Sequence, residues 1–159
     1  MVAFLSALAL LVAGTKAGAA DKDVEKIPSC QYCGMDREKF ASTRMLVEYA
    51  NGTTIGTCSI HCAAVDLAQS FGKEIKALKV ADFRSGRLTD AEAASWVIGA
   101  AIPGVMAAKS RVAFTDKADA DAFRKEKGGE IGNFDTAITS TYCDMWPDTQ
   151  AIRSRRTKH

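Results

Sequence analysis

Hydrophobic and polar positions change their spacing along the chain, and each change marks a predicted element. Residues 44–50 and 53–58 are rich in β-branched and aromatic side chains, and the Asn-Gly pair between them is a strong signal for a β-hairpin. In residues 60–71 the apolar positions repeat at helical spacing, and residues 77–83 return to a loose alternation that favours a strand. The first part of the chain is therefore predicted to fold as a hairpin, a helix and a strand.

The remainder of the chain predicts the same order of elements. Its first segment, residues 91–101, fits either a short helix or a strand, and we favour a strand because Trp96 and the two β-branched residues after it precede a glycine. Ser59 and Asp116 are suitable N-caps for the two helices of the ββαβ units, and Pro147 is expected to stop the last helix. The predicted elements of this part are strands at residues 91–101, 111–114 and 130–134 and helices at residues 117–127 and 135–146.

These elements define an α+β protein with two similar ββαβ halves. At 159 residues the chain has room for one domain or two small ones. We expect the first half to occupy residues 21–83 and the second half residues 84–148, followed by a basic tail at residues 149–159. The repeated order of elements indicates an internal duplication.

The first twenty residues have the pattern of a secretory signal peptide. An apolar run over residues 1–12 is followed by small residues and then by charged ones. The run is too short to span a bilayer, which needs about 20 apolar residues. We expect cleavage after Ala19 or Ala20, with no cysteine at that point to carry a lipid anchor. The sequence therefore predicts a periplasmic protein without a transmembrane span or a lipoprotein cysteine.

Composition and charge reduce the number of function classes that the sequence supports. Hydrophobic residues make up 47% of the chain and charged residues 25%, which is ordinary globular composition. The net charge of +2 is too balanced to predict a nucleic-acid partner. With two histidines, one of them the last residue, and no glycine-rich phosphate loop, the chain has no recognisable catalytic constellation. We expect no enzyme, and the five cysteines and five methionines direct attention to sulfur chemistry.

Four of the cysteines form two closely spaced pairs. Cys30 and Cys33 lie in a turn-rich segment at residues 27–35, the cysteine loop, whereas Cys58 ends the predicted hairpin and Cys62 lies in the first turn of the helix. A hairpin followed by a helix N-terminus folds the second pair back over the first, so that the four sulfurs share one tetrahedral or trigonal volume. The helix N-terminus also favours the thiolate form. Metal binding is the first interpretation. Structural disulfides are the alternative in an exported protein, and a thioredoxin-type redox pair ranks last because no helix follows the first motif.

Methionines separate the candidate metals. Four thiolates suit zinc, whereas thiolates supplemented by thioethers select Cu(I). Met35 and Met106 lie in loops without an evident core to fill and are the candidate thioether ligands, although methionine also fills gaps in irregular cores. Met45 lies in a strand and is assigned to packing. We expect His61 beside the site or exposed, and Cys143 as a buried thiol outside the site.

The motifs occur in a characteristic order. Cys-Gln-Tyr-Cys-Gly-Met at residues 30–35 is followed by the hairpin and by Cys-Ser-Ile-His-Cys at residues 58–62. Pro-Gly-Val-Met at residues 103–106 and a helical run with a double glycine at residues 118–131 come later. In this order and spacing the chain resembles the NosL family of nitrous oxide reductase accessory proteins over nearly the whole mature sequence.

The resemblance implies a Cu(I)-binding chaperone with two similar ββαβ halves, related in fold to organomercurial lyase. Such a protein delivers copper to nitrous oxide reductase or to the machinery that assembles its copper centres, and it performs no catalysis. The Cys-Gly-Met motif of the family corresponds to Cys33, Gly34 and Met35. Its Pro-Met loop corresponds to Pro103 through Met106, where two residues intervene.

Two features depart from the pattern of the family. The lipoprotein cysteine usual in the family is absent, and the pair Cys58 and Cys62 goes beyond the minimal pattern. This second pair resembles treble-clef metal-binding modules, so the first half is also a candidate for holding Zn(II).

The sequence thus predicts a periplasmic Cu(I) carrier. Its candidate metal ligands are Cys30, Cys33, Met35, Cys58, Cys62 and Met106. The alternative is an exported binding module with a structural zinc knuckle that docks on a partner protein.

Overall fold

The computed structural model describes residues 21–156, so the expected signal peptide and the last three residues lie outside the described chain. None of the helices in this range is long and apolar enough to cross a membrane. The elements are α1 (Asp21–Lys26), β1 (Met45–Tyr49), β2 (Thr54–Thr57), α2 (Ile60–Gln69), β3 (Ile75–Ala81), β4 (Leu88–Asp90), β5 (Ser95–Ile98), β6 (Arg111–Phe114), α3 (Lys117–Lys127), β7 (Glu130–Gly132) and α4 (Phe134–Arg156).

The first sheet has the strand order β2-β1-β3-β4, and all neighbouring strands are antiparallel. The predicted hairpin is confirmed: Gly52 adopts a φ of 86° in the turn, and the side-chain oxygen of Asn51 accepts a hydrogen bond from the Thr53 N–H at 2.9 Å. Strand β4 was not predicted, because it is short and no part of it is fully buried. Strand β4 extends the first sheet, although it comes after residue 83, where we expect the first half to end. The division of the chain at that residue stays a prediction.

The second sheet has the order β6-β5-β7 and is also antiparallel. The choice of a strand for residues 91–101 is confirmed by β5, although residues 91–94 form a turn. In both sheets the first strand of the unit lies between the second and the third, with a helix joining the second to the third. The predicted repeat of strand, strand, helix and strand is therefore present.

One core lies between the two halves. Met45 of β1, Trp96 of β5 and Phe134 of α4 belong to the same buried cluster, which confirms the packing role of this methionine. Alternation along β5 turns Val97 to the opposite face, where it meets Phe123 of α3 in a second cluster. The second sheet is therefore covered on both faces.

A buried carboxylate joins the two sheets at the end of β3. Asp82 is 5% exposed and accepts hydrogen bonds at 2.8 Å from the backbone N–H groups of Ser85 and Thr115. The next residue, Phe83, donates its N–H to the carbonyl of Ala113 in β6 at 2.8 Å. The sheets are thus linked through the main chain as well as through the shared core.

Of the helix boundaries predicted in the second half, the start of α3 is confirmed and the end of the last helix is not. Asp116 caps α3 as predicted, with its carboxylate accepting from the Ala118 N–H at 2.9 Å. The prediction that Pro147 stops the last helix is wrong, and residues 149–156 of the expected tail are helical. Proline inside a helix removes one backbone hydrogen bond and crowds the preceding turn, at a cost of about 3 kcal/mol that other contacts must offset. The helical turn after Pro147 is stabilised by a contact with another segment, because Asp148 accepts a hydrogen bond from the Ala108 N–H at 2.9 Å.

Candidate metal centre

The cysteine loop is closed by its own backbone. The Cys30 N–H donates to the Met35 carbonyl at 2.8 Å, and the Gly34 N–H donates to the Cys30 carbonyl at 2.9 Å. Gly34 has a φ of 75°, a conformation that glycine adopts without steric cost. Gln31 and Gly56 of β2 then exchange two hydrogen bonds, which fix the loop against the edge of the first sheet.

The second cysteine pair lies where β2 passes into α2. Cys58 follows the strand, and Cys62 lies in the first turn of the helix as predicted. Ser59 stands at the N-cap position, but its side chain makes no capping hydrogen bond. Its hydroxyl donates instead to the carbonyl of Val105 at 3.1 Å. The expected capping role of this serine is therefore wrong, because the hydroxyl holds a loop from the second half.

Four thiols meet between these segments. Their Sγ atoms all lie within 4.8 Å of one another, with 3.5 Å between Cys33 and Cys58 and 3.8 Å between Cys58 and Cys62. No two of the four are bonded to each other in the structure, where the Sγ atoms of Cys33 and Cys58 lie well beyond the distance of about 2.05 Å in a disulfide. A tetrahedral ion with metal–sulfur bonds of about 2.3 Å places its ligands about 3.8 Å apart. The spacing of the thiols therefore fits a single thiolate-bound ion without rearrangement of the backbone.

Both candidate thioethers pack against these thiols. Met35 comes from the cysteine loop, and Met106 comes from residues 99–110 between β5 and β6, the methionine loop. Phe40 and Val105 complete the apolar surround. The structure thus brings the six candidate ligands together from three separate segments of the chain.

The methionine loop is strained and anchored. Met106 has a φ of 59° and is the one described residue other than glycine in the left-handed region, which is disfavoured for an ordinary side chain by about 1 kcal/mol or more. The hydroxyl of Ser59 and the carboxylate of Asp148 hold the loop at Val105 and Ala108. The strain is maintained because these contacts fix the chain on both sides of the methionine.

The thiols influence one another. Hydrogen bonds from Cys58 and Cys62 lower the pKa of the Cys30 thiol far below its usual value. Hydrogen bonds with Cys30 and Cys58 raise the pKa of Cys62, and its burial adds to that effect. The pKa values of these thiols are therefore coupled, with that of Cys30 shifted down and that of Cys62 shifted up.

A buried arginine connects the two cysteine pairs. Arg37 is fully buried and donates to the carbonyl of Ile27 at 2.6 Å and to the carbonyl of Thr57 at 3.2 Å. The first carbonyl lies in the cysteine loop, and the second directly precedes Cys58. A Cβ on Gly56 would lie 2.8 Å from this guanidinium, so glycine is required there.

A carboxylate of α1 is the shared counter-ion of two buried arginines in this region. Asp23 pairs with Arg37 at 2.8 Å and with the equally buried Arg44 at 2.9 Å. Burial opposes ionisation of Asp23, but the two arginines outweigh it and lower its pKa. Sequence reasoning missed these three residues, because their pairing over long distances along the chain leaves no periodic or motif signal.

A tyrosine also ties the cysteine loop to α2. Tyr32, between the first two cysteines, donates to Asp66 at 2.6 Å, and Tyr49 of β1 donates to the same carboxylate at 2.5 Å. Asp66 is 1% exposed. Burial and the bond to this carboxylate raise the pKa of Tyr32. The phenol therefore stays protonated and acts as a donor that positions the loop.

Two residues singled out in the sequence lie outside the sulfur cluster. His61 is half-buried, its Nδ1 has no hydrogen-bond partner among the described residues, and burial lowers its pKa. Cys143 is exposed, so the prediction of a buried thiol is wrong. The buried face of α4 carries Ala137 and Thr141, and a residue two positions after Thr141 points about 200° away from that face.

Comparison with known proteins agrees with this architecture. The NosL family model matches residues 21–143. The crystal structure of the copper chaperone NosL from Shewanella denitrificans has a similar fold, with a TM-score of 0.55 and 21% identity over 67% of this chain and 87% of that chain. Comparison with curated protein sequences finds no match. Because the family model spans most of the chain, including both cysteine pairs and the methionine loop, this protein belongs to the NosL family.

Proposed function

We propose that this protein is a Cu(I)-binding accessory protein that carries copper in the periplasm and delivers it to nitrous oxide reductase during assembly of the copper centres. The convergence of four thiols and two thioethers on one partly buried cluster carries the proposal. Soft sulfur ligands of these two kinds favour monovalent copper over harder ions. Membership of the family and the fold shared with a copper chaperone support the same role, which requires no catalysis.

The proposed ligands allow the protein both to retain copper and to release it. Cys33, Cys58 and Cys62 serve as thiolate ligands, while Cys30 and one of the two methionines complete or exchange the coordination. Cys58 and Cys62 are buried, whereas Cys33 is only half-buried. An incoming ligand of the recipient therefore approaches on the side of Cys33, where a weakly bound thioether is the first group to be displaced.

Export and placement belong to the same proposal. The signal peptide at residues 1–20 would direct the chain to the periplasm, and the mature chain would begin next to α1. Asp23 lies in that helix and pairs with two buried arginines, so the mature N-terminus is held on the first sheet close to the cysteine loop.

A structural zinc site is a second candidate, favoured by the spacing of the thiols alone. Four Sγ atoms within 4.8 Å of one another fit a tetrahedral Zn(II) site, and the first half would then be a treble-clef-like knuckle docking on a partner protein. A structural zinc contributes its binding free energy to folding, so its removal would unfold the first half. An empty copper carrier would stay folded.

The test is competition for Cu(I) against a colorimetric chelator, using reduced protein purified without oxygen. Replacing Cys58 and Cys62 by Ser should weaken copper binding by more than about 100-fold, since loss even of outer contacts to a ligand costs 10- to 100-fold. Cys143→Ser is the matched control, because it removes an exposed thiol outside the cluster. Its affinity should equal that of the unmodified chain.

The result that contradicts the copper proposal is an unchanged affinity in the doubly substituted protein. Stoichiometric zinc that Cu(I) does not displace, with loss of circular dichroism on chelation, would establish the zinc knuckle instead. Delivery is tested by mixing the copper-loaded protein with copper-free nitrous oxide reductase. The reductase should acquire its copper absorption from the unmodified chain and more slowly from the Cys33→Ser variant.

A further inference from the structure

The sulfur cluster contains more ligands than one copper ion uses. A tetrahedral ion takes four sulfurs, and low-coordinate Cu(I) takes fewer. The cluster offers four thiols and two thioethers. Even a four-coordinate copper would leave two soft ligands packed beside it without a metal.

Burial divides these ligands into two sets of equal size. The inner set is Cys30, Cys58 and Cys62, which are 2%, 0% and 2% exposed. The outer set is Cys33, Met35 and Met106, which are half-buried and pack against the inner thiols. Each set supplies the three sulfurs of a trigonal site, one closed to solvent and one open to it.

A close contact between two sulfurs joins the inner set to the outer set. The Sγ of Cys33 in the outer set lies 3.5 Å from the Sγ of Cys58, which is itself 3.8 Å from the Sγ of Cys62 in the inner set. A thiolate has enough lone pairs to bind two metal ions at once. The position of Cys58 therefore suits a thiolate that bridges an inner and an outer ion.

Charge favours the same arrangement. Four thiolates around one Cu(I) would leave three negative charges, whereas two Cu(I) ions leave two, as Zn(II) does in a four-cysteine site. Uncompensated charge is costly in a buried place. Arg37 and Arg44 share the single carboxylate of Asp23, so these three groups leave one positive charge, which is too little to offset three negative charges.

We propose that the cluster binds two Cu(I) ions, one in the inner set and one in the outer set, with Cys58 as the bridging thiolate. This inference rests on the proposed function and adds the number of ions carried. Both ions enter as Cu(I), the thiol protons leave to solvent and no electron is transferred. The outer ion is the first to be handed over, and the inner ion follows through the bridge.

The inference is tested on the full chain, reduced and oxygen-free, by adding Cu(I) in acetonitrile in the presence of a competing chelator. Native mass spectrometry should show two copper ions per chain at saturation, and X-ray absorption at the copper edge should show a short copper–copper distance. Met35→Leu combined with Met106→Leu should weaken the second copper about tenfold or more and leave the first unchanged. Met45→Leu, in the core between the halves, is the matched control and should alter neither.

Each outcome separates this inference from the proposed function. One copper per chain without copper–copper scattering overturns the pair and leaves the carrier role standing. One retained zinc with at most one copper also overturns the pair. No copper held against the chelator overturns both. Cys58→Ser should lower the stoichiometry to one copper or none while circular dichroism stays unchanged; two ions in that variant would contradict the bridge.

Discussion

The two ββαβ halves share a strand order but use the same junction in different ways. Between β6 and α3 the carboxylate of Asp116 caps the helix by accepting from the Ala118 N–H. Between β2 and α2 the equivalent position is Ser59, whose hydroxyl leaves the helix uncapped and binds Val105 of the methionine loop. The second half uses this junction for helix stability. In the first half the same junction lacks this stabilising bond. It places the thiols of Cys58 and Cys62 before and after the cap, and it holds the loop that carries Met106 against them.

The ion pairs beside the cysteine loop also differ in burial from the ion pair on α3. In the first half Arg37 and Arg44 are fully buried and share Asp23. In the second half α3 carries the exposed pair Lys117 and Asp121, with side chains 69% and 41% exposed. A buried network fixes geometry but is intolerant of change, whereas an exposed pair contributes little. The second half also buries one cation, Arg111, which pairs with the half-buried Asp144, so the contrast holds between these two sites and not between whole halves.

Removing the shared carboxylate is the strongest test of this contrast. Asp23→Ala should lower the free energy of unfolding by about 3–5 kcal/mol, because two buried arginines lose their counter-charge. Asp121→Asn in the second half should leave the urea midpoint unchanged. Equal shifts of the two midpoints in urea denaturation would show that burial does not distinguish these two ion pairs.

The joint between the halves should respond to acid. Burial opposes ionisation of Asp82, but the N–H groups of Thr115 and Ser85 outweigh it and lower its pKa. Its stabilising contribution is present above the unfolded pKa of about 3.9 and is lost as the pH falls through the folded pKa. Asp82→Asn should therefore cost about 1–3 kcal/mol at neutral pH, and the cost should shrink as the pH falls below about 3.9.

The measurement is urea denaturation of both proteins at several pH values. The two unfolding free energies should converge as the pH falls. A difference that stays constant over the whole range would mean that the charge of Asp82 contributes nothing to the joint.

Substitutions at the N-cap positions of α2 and α3 test the contrast between the two junctions, and their expected effects are the smallest. Asp116→Ala should lower the free energy of unfolding by about 1 kcal/mol without changing Cu(I) affinity. Ser59→Ala should leave α2 intact, since its side chain makes no capping bond, but should weaken Cu(I) binding several-fold by loosening the methionine loop. If Ser59→Ala lowered stability and spared copper affinity, the contrast between the junctions would be wrong.

The sequence was most informative where signals are local. The hairpin at Gly52, the cap at Asp116 and the position of Cys62 in the first turn of α2 depend on neighbouring residues, and each prediction is confirmed. The failure at Pro147 has a long-range cause, because the contact of Asp148 with Ala108 supports the helix beyond the proline.

The same distinction applies to the site. Spacing alone brought the four thiols together, since each pair lies within one loop or one turn. It gave no indication of Arg37, which reaches both pairs through backbone carbonyls, or of Asp23, which neutralises it. The hydroxyl of Ser59 was assigned to the wrong partner because Val105 lies 46 positions away along the chain.

The left-handed backbone at Met106 has a consequence for protein engineering. A procedure that removed backbone strain alone would place glycine there, because glycine adopts a φ of 59° without steric cost. The substitution would also remove the side chain that packs on the buried thiols, so its two effects on the melting temperature oppose each other. In either case the rim of the cluster would lose a soft ligand, so a redesign of this loop for regular backbone geometry would give up cargo handling.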